Sequence, residues 1–147
     1  MKYTKLFLIN ENVVPKNGAI FAIFPDGKKA YYLNGRLHRT NGPAVIYPAR
    51  HDESSQNKFC SQGKSKTIFC CCGTKEYYQN GVLHRVNGPA VIYSNGIKEY
   101  YQNGKLHRTN GPALIYPNGH KEYYQYGKLH PVSYTHLRAH ETPEHLV

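Results

Sequence analysis

Tyr77-Tyr78-Gln79-Asn80-Gly81-Val82-Leu83-His84-Arg85-Val86-Asn87-Gly88-Pro89-Ala90-Val91-Ile92-Tyr93-Ser94-Asn95-Gly96-Ile97-Lys98-Glu99 is followed at Tyr100 by the same string, almost letter for letter. Tyr77, Tyr100 and Tyr123 stand 23 residues apart, and Tyr31 lies two such steps before Tyr77. A short fixed period is the mark of a quasi-linear array in which each unit packs on its neighbours. It argues against a globular enzyme core.

Within one unit, short β-branched or aromatic segments alternate with Asn-Gly pairs at 34–35, 80–81, 95–96, 103–104 and 118–119. Asn and Gly tolerate the positive φ that two-residue hairpin turns require. No 3.6-residue period runs through the chain, and Gly and Pro leave no room for helices. The spacing predicts an all-β chain: an elongated, single-layer antiparallel meander with two main strands per repeat, growing by hairpin addition. Along Ala113-Leu114-Ile115-Tyr116 the side chains should alternate between faces, as should Tyr100 and Tyr101. Pro43, Pro89 and Pro112 each follow a Gly and should open their strands, where a missing N–H costs least.

The chain has 147 residues, 14 Tyr, no Trp and a formal net charge of +10. A Tyr-coated sheet suits this mixture, because Tyr buries its ring and keeps its hydroxyl wet. The positive charge favours anionic partners, although basic residues also keep a Tyr-rich surface soluble. The apolar run Leu6-Phe7-Leu8-Ile9 is too short for a signal-peptide core, and no stretch approaches the ~20 apolar residues of a membrane span. The expected location is cytoplasmic, in a host cell or at the periphery of a membrane.

The combination of Tyr-Tyr-x-Asn-Gly, Leu-His-Arg, Gly-Pro-Ala, an apolar strand and a closing Asn-Gly resembles the MORN repeat and its variants. The resemblance covers about residues 24–130 and is most specific at Tyr77–Gly81, Tyr100–Gly104, Tyr123–Gly127, Tyr93–Gly96 and Tyr116–Gly119. Tyr stands where that family usually has Trp, and Gly-Pro-Ala where it usually has Gly-x-Gly. The chain is therefore similar to the variant subgroup of large DNA viruses, phages and some bacteria. The resemblance implies scaffolding, dimerisation or binding of acidic phospholipid.

The domain reading is an N-terminal strand or cap with a partial repeat at 1–23, the MORN-like array at 24–130, and a non-native tail at 131–147. The tail breaks the pattern, and its Val132–Thr142 stretch resembles the translation of a sequencing adapter. The natural chain is then expected to be longer, and His136, His140 and His145 leave the list of ligand candidates. Residues 51–73 read as a degenerate repeat, with Glu53, Gln56, Asn57 and Gly73 falling on Glu99, Gln102, Asn103 and Gly119. Cys60, Cys70, Cys71 and Cys72 lie in this unit. Three consecutive cysteines cannot all face one ion from a strand, so they read as incidental free thiols rather than a metal site.

Repetition itself places the candidate binding residues: His38, Arg39, His84, Arg85, His107 and Arg108, with Tyr78 and Tyr101 beside them. Arg rows suit phosphates through their planar fork, and Tyr rows could stack on bases. The competing reading has Leu37, Leu83 and Leu106 anchoring the turn while His and Arg pair with Glu76, Glu99 and Glu122 between repeats. No phosphate loop, zinc motif or unique nucleophile set is present, and identical repeats supply no asymmetric cleft. No catalytic residue, metal or cofactor is expected. Three functions follow: a non-catalytic scaffold for protein partners or self-association, an anion-binding module for acidic lipid or nucleic acid, or the targeting arm of a longer enzyme.

Overall fold

Asn-Gly turns of two kinds organise the chain, and the computed structural model describes them within residues 2–7, 14–48 and 73–131. At Asn34-Gly35, Asn80-Gly81 and Asn103-Gly104 both residues have positive φ, 50 to 53° for Asn and 75 to 84° for Gly. These are two-residue hairpin turns, as the sequence predicts. At Asn95-Gly96 only Gly96 has positive φ, and a three-residue loop results: Tyr93 N–H donates to Ile97 O, and Gly96 N–H to Tyr93 O, each at 3.0 Å. The Asn95 side chain accepts from Ile97 N–H at 3.1 Å, and Asn118 does the same for His120 N–H at 2.9 Å. A type I turn closed by one left-handed Gly replaces the expected two-residue turn at these two sites.

The two turn types make two kinds of strand pair. The main sheet runs β1 (Thr4–Phe7), β2 (Ala19–Ile23), β3 (Lys29–Leu33), β5 (Val45–Ile46), β6 (Lys75–Glu76), β9 (Val91–Ile92), β10 (Lys98–Glu99), β13 (Leu114–Ile115) and β14 (Lys121–Glu122). β4 (Arg36–Leu37) folds back on β3. Three further ribbons lie in ladders of their own: β7 (Tyr78–Gln79) with β8 (Val82–Leu83), β11 (Tyr101–Gln102) with β12 (Lys105–Leu106), and β15 (Tyr124–Gln125) with β16 (Lys128–Leu129). Each repeat thus gives two strands to the main sheet and one hairpin ribbon beside it. Successive ribbons are joined by backbone bonds, Gly81 N–H to Leu37 O, Gly104 N–H to Leu83 O and Gly127 N–H to Leu106 O, at 2.8 to 2.9 Å.

The fold is all-β, with open antiparallel sheets. One pair departs from the expected antiparallel meander: β1 adds parallel to β2, with Thr4 opposite Ile20 and Phe7 opposite Ile23. A second departure lies between β5 and β6. Val45 pairs Glu76 and Ile46 pairs Lys75, in the same register that β9 uses with β10. Gly73 N–H closes the turn on Pro48 O at 3.0 Å. The described chain leaves the ladder after Pro48 and re-enters it at Gly73, and β5 pairs directly with β6. The expected degenerate repeat lies outside the described residues except for Gly73, as do the four cysteines and the tail after Pro131.

Ladder partners share a face, so the pairing sorts the side chains. On one face Ala30, Val45, Glu76, Val91, Glu99, Leu114 and Glu122 follow one another across the sheet. At the N-terminal end this face continues into the core of Ile20, Ala22, Phe24, Ala30, Tyr32 and Val45. On the other face the row is Lys29, Ile46, Lys75, Ile92, Lys98, Ile115 and Lys121. Where alternation predicts opposite environments for Ala113 and Leu114, both are buried, and so are Ala44 with Val45 and Ala90 with Val91. Both sides of the sheet are covered at that level.

Candidate functional site

The candidate arginines reach the lysine face through Tyr31, Tyr77 and Tyr100, each two residues along from Lys29, Lys75 or Lys98, and the fold occupies their planar forks. Arg39, Arg85 and Arg108 lie over the rings of Tyr31, Tyr77 and Tyr100, 3.9 to 4.0 Å from each centroid. Each donates from Nη1 to the carbonyl of the proline four residues on, Pro43, Pro89 or Pro112, at 3.1 to 3.2 Å. Gly42, Gly88 and Gly111 have φ of 141 to 144°, and a Cβ there would come within 3.1 to 3.2 Å of the guanidinium carbon. Only glycine gives both the backbone angle and the space. The Arg-x-Asn-Gly-Pro string is therefore a clamp: ring, guanidinium, glycine and proline carbonyl.

The histidines join one repeat to the next. Nδ1 of His38 accepts the N–H of Asn80 at 3.2 Å, that of His84 accepts from Asn103 at 3.1 Å, and that of His107 accepts from Tyr126 at 3.1 Å. His84 Nδ1 also lies 3.1 Å from Asn103 Oδ1, so this ring faces both the main chain and the side chain of the next turn. His107 is buried, with the ring of Tyr126 4.4 Å away.

Tyr78 and Tyr101 belong to the glutamate face, away from the arginines. Glu122 accepts from Tyr116 at 3.1 Å and from Tyr124 at 2.8 Å. Glu99 is held the same way by Tyr93 and Tyr101. Burial raises the Glu99 carboxyl above its ordinary range, against the opposing pull of the two hydroxyls. Burial, then the Glu99 charge, pushes Tyr101 up to about 12 and raises Tyr93 as well. Tyr116 is raised chiefly by burial, and Tyr124 chiefly by its bond to Glu122. In place of the expected pairing with the Leu-His-Arg segments, Glu122 sits in a phenol–carboxylate–phenol bridge, with His120 Nε2 of its own hairpin 3.5 Å from Oε1. A half-buried carboxylate is better satisfied by two short O–H donors already on its face.

The eight candidate residues do not converge on one centre. Arg39, His84 and Arg85 do meet, in a groove of about 400 Å3 that Thr40, Asn41, Tyr77, Gln79 and Asn87 also line. Every side chain named there is neutral or cationic. The candidate list omits the lysine row of Lys29, Lys75, Lys98 and Lys121, all exposed, with the half-buried Ile46, Ile92 and Ile115 between them. The signal for it is in Lys-Glu-Tyr-Tyr at 75–78, 98–101 and 121–124, where Lys and the first Tyr have the same parity and Glu the opposite one.

Among the described residues no three His, Cys, Asp or Glu side chains group to hold a metal ion, and no helix is long and apolar enough to cross a membrane. No family model matches the chain, and neither a curated protein nor a solved structure matches it significantly.

Proposed function

We propose that the chain is a non-catalytic β-repeat module of the MORN-like kind, a scaffold that presents its lysine face to an acidic partner. One observation carries this reading. Of the four described carboxylates, Glu76, Glu99 and Glu122 share the face opposite the lysines, and Asp26 sits in a turn capping Lys28 N–H. The lysine face therefore combines two rows of cations, Lys and clamped Arg, with no carboxylate between them. Such segregation raises the local potential and gathers anionic partners. The arginines add charge to this face, while the lysines keep ammonium groups exposed for contact.

A second reading is docking on an acidic lipid surface. It is favoured by the half-exposed Ile46, Ile92 and Ile115 between the lysines, since mixed cationic and apolar rows suit a headgroup boundary.

The test is binding to oligothymidylate and to phosphatidylserine vesicles at low and high salt. Binding to either polyanion that weakens steeply with salt, and is lost in Lys75→Glu/Lys98→Glu/Lys121→Glu, is the expected result. No binding at low salt of either polyanion, nor of a glutamate-rich peptide, sinks the reading.

A further inference from the structure

We propose that the lysine face reads a polyproline II segment that carries an acidic side chain at every third residue. The inference rests on the acidic-partner reading above and adds the shape and period of the partner.

The period comes from the ladder. Lys75 and Lys98 are separated by one strand, with Ile92 paired to both, and Lys98 and Lys121 are separated by Ile115 in the same way. Lys29 reaches Lys75 through Ile46. Adjacent strands lie ~4.8 Å apart, so successive lysines are ~9.6 Å apart along the row. A polyproline II helix has three residues per turn and rises ~3.1 Å per residue, so residues i, i+3 and i+6 line one face at ~9.3 Å intervals. The two spacings agree to within ~0.3 Å per step. An extended β-strand fails this match, because its third residue points to the opposite face.

The chemistry between the charges fits as well. The half-buried isoleucines offer apolar contact midway between lysines, where proline rings of a Glu-Pro-Pro triplet would lie. A preformed polyproline helix also loses little conformational entropy on docking. Strand twist of about 20–25° per pair turns each lysine about 40–50° from the previous one, so about two triplets use up the match to a straight ligand.

The experiment is fluorescence anisotropy of two labelled peptides with four glutamates each, one of Glu-Pro-Pro triplets and one of Glu-Pro-Pro-Pro quadruplets, against the full chain. Oligothymidylate and phosphatidylserine vesicles are the comparison probes. The triplet peptide should bind about tenfold more tightly than the quadruplet. Binding should be lost in Lys75→Glu/Lys98→Glu/Lys121→Glu and kept in Arg36→Glu/Lys105→Glu/Lys128→Glu, which reverses equal charge on the exposed ribbons. Circular dichroism checks that both variants fold. Equal affinity for the two peptides, or loss of binding in the ribbon variant, overturns the period while leaving an acidic partner in place. Tighter binding to DNA or vesicles than to the triplet peptide overturns the peptide as occupant in favour of that polyanion. Silence of all four probes at low salt overturns both the period and the broader reading.

Discussion

Among the described residues, Tyr126 is the one at which the repeat breaks its own turn rule. Asn34, Asn80 and Asn103 take left-handed φ at the first turn position, and Tyr126 takes the same angle, 52°, with a bulky side chain. That conformation costs a non-glycine, non-Asn residue roughly 1 kcal/mol or more. The ring recovers part of this by lying against His107. Tyr126→Asn should therefore raise unfolding stability by up to about 1 kcal/mol in urea titration. A loss instead would mean that the His107 contact outweighs the backbone strain. The clamp gives the opposite expectation. Gly88→Ala would force a Cβ into the Arg85 guanidinium at an angle alanine resists, and should cost roughly 1–3 kcal/mol. Full retention of stability there would show that the arginine swings aside freely. Tyr101 supplies the pH dependence. Its folded pKa of about 12 lies above the ordinary tyrosine value of 10.0, so the phenol stays protonated in the folded state when the unfolded chain has begun to ionise. That stability is complete below pH 10 and is lost as pH rises through about 12. Tyr101→Phe should flatten alkaline unfolding across that window, and an unchanged profile would remove Tyr101 from its cause.

The turn between β5 and β6 makes an element-scale prediction. Tyr47 N–H donates to Thr74 O as Tyr93 N–H does to Ile97 O in the next unit, while Gly73 N–H closes on Pro48 O where Gly96 N–H closes on Tyr93 O. Replacing 49–72 by one Asn should therefore leave the sheet intact, with far-UV circular dichroism unchanged and the thermal midpoint equal or higher. Closing a long loop costs entropy that grows slowly with length, so the gain is at most about 3 kcal/mol. Loss of the folded signal would mean that 49–72 contributes strands of its own. Residues 51–73 keep the 23-residue beat, so the sequence reads them as a degenerate repeat in register, and all but Gly73 lie outside the described residues. What the sequence did carry was the 23-residue unit, the absence of helix and the Asn80-Gly81 type of turn, because each depends on local backbone preference. The assignment of partners was not legible. Whether Arg85 meets Glu99, or Tyr77 and Pro89 O, depends on which side of a two-residue strand each side chain leaves. Parity along Lys75-Glu76-Tyr77-Tyr78 sends Glu one way and Lys with the first Tyr the other. The clamp residues reach the same face only through the fold of the intervening ribbon.

At the scale of the whole molecule, segregated charge has a consequence for stability as well as for binding. The four lysines of the row are held ~10 Å apart by strand spacing, and the clamped arginines share their face. The carboxylates that would neutralise them are on the far side, bonded to tyrosines. Folding thus concentrates like charge that the unfolded chain would disperse, on a protein with a formal net charge of +10. The Debye length falls from about 30 Å at 0.01 M to about 8 Å at 0.15 M, so it crosses the lysine spacing within that range. The melting temperature should rise by roughly 2–5 °C over the same interval and level off above it. Lys98 has a lysine on either side in the row, so Lys98→Gln should melt higher than the parent at low salt and converge with it at high salt. A melting temperature that falls as salt is added would show that attraction between lysines and glutamates across the sheet outweighs repulsion along the row. The lysine face would then contribute to stability as well as serve as a docking surface.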